Sequence, residues 1–100
     1  MSNPHQELAR WKKAGAIADY LEALARKLTA HTVRPFNDQS PADWAALIRT
    51  VEATSEHDWR AVSVMAGQRP ASAETQKVVL EILRGRMQAA GVDPFAGVSP

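Results

Sequence analysis

The chain contains no cysteine, so a disulfide framework, a CxxC redox pair and a thiolate zinc site are all excluded, and packing alone must hold the fold. No one sign of charge dominates: 12 Lys and Arg against 11 Asp and Glu leave a net charge of +1. That balance argues against a strongly basic nucleic-acid coat or a polybasic membrane anchor, both of which rely on summed cations to displace counterions. Glycine is scarce, and the five present, at 15, 67, 85, 91 and 97, spell neither GxGxxG nor GxxxxGK[ST], so no phosphate-cradling loop can be written. The three histidines, at 5, 31 and 57, stand 26 residues apart and cannot place two metal ligands on one helical face. No cofactor is expected. Eight charged side chains between Glu7 and Lys27 leave neither the apolar middle of a signal peptide nor a spanning helix, so the expected location is cytoplasmic.

What is present is helical punctuation. One hundred residues suit a single domain, and residues 1-100 read as one helical unit with a loose C-terminal tail over about 93-100. Asn3-Pro4-His5-Gln6 combines an N-cap side chain with Pro at the first helical position. Ser40-Pro41-Ala42-Asp43 repeats the signal, Ser55-Glu56-His57-Asp58 gives it again, and Ser72 caps a fourth helix. The fold class expected is all-α, a compact bundle of four helices over about 4-29, 41-53, 56-66 and 73-90, with a long first helix. Between the first two, residues 32 to 39 form an irregular connection in which Phe36 is the anchor to the core. Gly91 is placed to end the last helix, with Val92 closing it by an apolar contact.

S-x-x-D-W occurs twice, at 40 to 44 and 55 to 59, and reads as two similar helix starts; Trp11, Trp44 and Trp59 are all expected in the core. Ser55, Glu56, His57 and Asp58 hold the residue types of a hydrolase triad. Neighbouring helical side chains diverge by about 100°, however, so the run is read as a cap and not as a relay. Asp19 and Glu22 are placed on the solvent side of the first helix, with Glu22 and Arg26 four residues apart as an ion pair. No pair of carboxylates is set apart for acid and base work, and no small-molecule substrate is indicated, so the chain is read as non-enzymatic.

Two functional readings follow. In the first, the chain is a helical protein-interaction module, a homodimeric accessory or regulatory protein. Trp11, Ala14, Ala18, Leu21, Ala25 and Leu28 recur in steps of three and four along helix 1, with Ile17 and Leu24 widening the stripe, and make a heptad seam. Helix 1 should be about 39 Å long and helix 4 about 27 Å, so part of the seam is expected to outrun the bundle and meet a partner or a second copy.

In the alternative, Trp59 to Leu83, with Ala66-Gly67 at the turn, partly resembles a helix-turn-helix motif, which would imply a DNA-binding regulator using helices 3 and 4. The sequence departs from that pattern in a turn about two residues longer, over Gln68 to Ala71, and in Ser63 where a small apolar residue is usual. The resemblance would put Glu74, Thr75, Gln76 and Lys77 at the groove and give Arg60, Arg69, Arg84 and Arg86 to phosphates. Residues 57 to 88 hold five Lys or Arg against three acids, a mild enrichment of the required sign.

Overall fold

The computed structural model describes residues 4 to 29 and 36 to 91. Four helices make up the fold: α1 (Pro4–Thr29), α2 (Pro41–Ala53), α3 (Glu56–Met65) and α4 (Ala73–Ala89), with no strand among the described residues. The fold is all-α, as the punctuation predicts. Its ends agree with the expected bounds to within one residue, because the signals that set them are local. Ser40, Ser55 and Ser72 each hold an extended backbone and accept, through the side-chain hydroxyl, the amide N–H three residues on. Each bond satisfies one of the amides that a helix start leaves without an internal partner. The N-cap expected at Asn3, the contact expected of Val92 and the tail over about 93-100 lie outside the described residues.

Glycine closes two of the helices. Gly67 adopts φ 83°, its N–H donates to the Val64 carbonyl, and the Gln68 N–H donates to the Ser63 carbonyl. These two bonds form a Schellman motif, whose left-handed residue is nearly always glycine because a Cβ there crowds the carbonyl. Gly91, at φ 78°, donates to the Gln88 carbonyl in the same way and ends α4 where the sequence places the stop.

α4 is the central helix, and the other three pack on it more than on one another. Its face Thr75, Val79, Leu83 and Met87 is buried, at the four-residue spacing that keeps side chains on one stripe. α1 lies parallel to it: Arg10 meets Glu74 at 3.1 Å near the start of both helices, and further along Arg86 meets Asp19 at 2.8 Å and also Glu22. α2 runs the other way, since its last turn lies beside Gln76 and its first residues beside Met87 and Gln88. α1 supplies Ala14, Ile17 and Ala18 to the core, where the small side chains let it approach α4 closely. α2 contributes Trp44, Ile48 and Val51, and α3 contributes Trp59.

The tryptophans divide two to one. Trp44 and Trp59 are 2% and 1% exposed, and each ring N–H finds a carbonyl, that of Asp38 at 2.7 Å and that of Ser72 at 3.0 Å. The second bond ties α3 to the entry of α4. Trp11 is 45% exposed, which corrects the expectation that all three lie in the core. Its position explains the difference: Arg10 is level with Glu74, so the first turns of α1 extend past the start of α4 and have no helix over them. Phe36 packs against the core and meets Trp44 edge-on, with centroids 5.4 Å apart, and so anchors the connection.

Candidate functional site: an apolar cleft between two helices

Because α1 and α2 each pack on α4 and barely on each other, the space between them stays open. The result is a cleft of about 290 Å³. Leu21, Leu24, Ala25 and Leu28 form the α1 wall; Ala46 and Leu47, with Asp43 and Thr50, form the α2 wall; Phe36 closes one end. Leu28, at the end of the α1 stripe, is 69% exposed. Polar groups here are few and engaged. Asp43 accepts the Asn37 N–H at 2.7 Å, and the Thr29 hydroxyl donates to the Ala25 carbonyl at 2.8 Å while accepting the Phe36 N–H at 2.7 Å. Arg26 lies over the Phe36 ring, 5.4 Å from its centroid. Such a surface gains free energy from covering apolar area and has little to offer a polar ligand.

A second cleft, about 330 Å³, lies between α2 and α4, lined by Pro41, Ala45, Ile48 and Met87 together with charged residues. It is already bridged. Arg84 donates to Glu52 at 2.9 Å across its mouth.

The seam predicted along α1 is split by the fold. Ala14 and Ala18 are wholly buried inside the chain itself, so α4 takes the place that a second copy's helix was expected to fill. Trp11 stands apart near the start of α1, while Leu21, Ala25 and Leu28 gather in the α1–α2 cleft. The sequence periodicity gave no role here to Ala46, Leu47 or Phe36, which lie on other elements. The pairing expected of Glu22 also changes: its side chain is only 12% exposed and meets Arg86 of α4, while Arg26 turns to Phe36. Arg86 sits between two acids on α1, which holds Glu22 closer to the core than a solvent-facing position would.

The side chains expected to meet DNA are dispersed as well. Thr75 is buried, and Gln76 turns inward to donate from Nε2 to the carbonyls of Val51 at 2.7 Å and Thr54 at 3.0 Å. Gln76 therefore caps the end of α2, a use that its place in α4 gave no sign of. Arg84 pairs with Glu52, Arg86 with Asp19 and Glu22, and Arg60 with Glu56 at 2.9 Å. Only Arg69 and Lys77 of the expected set remain exposed and without a partner among the described residues. A recognition helix needs one open face, whereas α4 carries Glu74 and Glu81 beside Lys77 and Arg84 on its exposed side.

In the run 55 to 58, Ser55 is spent on its cap and Glu56 on Arg60. Among the described residues no three His, Asp or Glu side chains converge as metal ligands, and no helix is long and apolar enough to cross a membrane. Comparison with family models, curated proteins and solved structures finds no match for this chain.

Proposed function

We propose that this chain is a helical protein-interaction module, an accessory or regulatory protein that acts by contact and not by catalysis. The observation that supports it is the open apolar cleft between the second half of α1 and α2. A small domain that leaves leucines uncovered forgoes stability available from closing over them, and a partner that fills the space recovers it. Three of the six seam residues, Leu21, Ala25 and Leu28, contribute to this surface. Ala14 and Ala18 act inside the fold, where they admit α4. The partner is therefore read at the cleft end of α1 and not along its whole length.

Affinity capture with the whole chain tests the reading when two surface variants are run beside it. Leu28→Glu places a charge at the mouth of the cleft; Met65→Glu alters an equally exposed apolar residue on α3. A partner retained by Met65→Glu and lost by Leu28→Glu is the expected result. A set of captured proteins unchanged by Leu28→Glu contradicts the proposal.

A further inference from the structure

We infer that the cleft between α2 and α4 binds a small amphipathic carboxylate, an aliphatic chain ended by a single anionic head. This surface is separate from the α1–α2 cleft, and the inference does not depend on the interaction reading above. The first ground is the order of the lining along α2. Pro41, Ala45 and Ile48 come first and Arg49 and Glu52 follow, at a spacing that keeps all five on one stripe of the helix. On the α4 side Met87 lies beside the apolar stretch, with Gln88 at its edge, and Arg84 lies beside Glu52. The cleft is therefore apolar at one end and charged at the other. Ile48 and Met87 are buried, so the apolar end has a packed floor.

Charge is the second ground, and Arg49 carries it. Arg49 lines the cleft, is exposed, and makes no ion pair or hydrogen bond with the described residues. Glu52, one helical turn further on, is held by Arg84 at 2.9 Å instead. Arg49 and Arg84 against Glu52 leave the lining with a charge of +1. That balance accepts one negative charge, whereas a doubly charged phosphate would meet Glu52. A guanidinium also receives a carboxylate through two parallel N–H···O bonds, and it offers nothing to a cationic head.

Size is the third ground. The cleft is about 330 Å³, at the small end of the range for small-molecule sites, which begins at about 300 Å³. From Arg49 back to Pro41, α2 runs about 12 Å, room for an extended chain of about eight carbons with its head at Arg49. A partner's helix would need an apolar wall on α4 to match the one on α2, and α4 supplies Met87 alone.

The test follows the Ile48 and Met87 methyl signals of the full chain by NMR during titration with octanoate, with octanol, octylamine and butanoate run beside it. Octanoate should shift both signals and saturate below about 20 mM, a weak affinity suited to a site open to solvent. Octanol should bind at least about threefold more weakly and octylamine more weakly still, and the gap should narrow at about 500 mM salt. Butanoate should bind at least about tenfold more weakly, since each buried methylene is worth up to about fourfold. Arg49→Gln should reduce octanoate to the level of octanol. Glu52→Gln should instead tighten octanoate by at least about twofold, because it removes the opposing carboxylate and releases Arg84. Both sites are exposed, and circular dichroism checks that each variant is folded. Shifts at Leu24 and Leu28 with Ile48 and Met87 unmoved would place the ligand in the other cleft and overturn the inference. So would equal binding of octanoate and octanol, or a preference for octanoate that survives Arg49→Gln. The absence of a saturable shift by about 20 mM overturns it as well.

Discussion

Trp59 is one of the two large side chains on which the core depends. It is 1% exposed, and its ring N–H crosses thirteen residues to the Ser72 carbonyl, so one indole both fills the core beside α4 and fixes where α4 begins. Trp59→Ala should cost about 3 to 5 kcal/mol, the range for deleting a large aromatic from a packed core that collapses only partly. Trp59→Phe isolates part of that sum. It removes the hydrogen bond, worth about 0.5 to 1.5 kcal/mol, and leaves a smaller void. The hydrogen-bond share should fall at the low end, because the Ser72 carbonyl also accepts the Gln76 N–H at 3.2 Å and is not orphaned. A domain of this size is stable by about 5 to 15 kcal/mol in all, so the alanine variant should shift the urea midpoint far down with an unchanged slope. Trp11→Ala, at an exposed site, is the internal control and should cost less than about 1 kcal/mol. The unfolding is followed by far-UV circular dichroism, which does not depend on the tryptophan being changed. A loss under about 1 kcal/mol for Trp59→Ala, or equal losses at Trp59 and Trp11, would refute the packing described here.

Other perturbations separate the remaining links. Gln76→Ala removes the donor to the Thr54 carbonyl and one of two donors to the Val51 carbonyl, which keeps the Thr54 N–H at 3.2 Å, and should cost about 1 kcal/mol, with faster amide exchange confined to the end of α2. Gly67→Ala should cost about 1 to 2 kcal/mol purely through its positive φ, since a Cβ there meets nothing within 4 Å; a neutral result in urea would mean that the turn is not left-handed. Leu28→Glu should change stability by no more than about 0.5 kcal/mol, and a loss several times larger would show that Leu28 is covered in the free chain. Duplex DNA should show no salt-sensitive mobility shift at about 50 mM salt; a shift abolished by Arg69→Ala would return the helix-turn-helix reading.

The starts of α2, α3 and α4 are legible in the sequence because each is written within four residues: a serine hydroxyl, a proline or acid, and an amide that must find an acceptor. The stops at Gly67 and Gly91 were legible for the same reason, since a left-handed backbone selects glycine. What periodicity could not convey is which helix covers which stripe. The Trp11–Leu28 repeat looks like one surface, yet α4 spends its middle, Ala14 and Ala18, inside the fold and leaves Trp11 and Leu28 at opposite ends. Pairings across long separations were hidden likewise. Glu22 has Arg26 at the right spacing on its own helix, but Arg86 lies nearer in space and draws it inward. The cleft was half visible, through Leu21, Ala25 and Leu28. Its other wall and Phe36 depend on where α2 docks, and no local pattern records that.

The space between α1 and α2 is an apolar surface open to solvent. Methyl NMR with a soluble paramagnetic probe measures this directly. Leu24 and Leu28 methyls should relax strongly in the free chain, with Ile17 and Leu83 protected. Leu24 and Leu28 as well shielded as Leu83 in the free chain would contradict it.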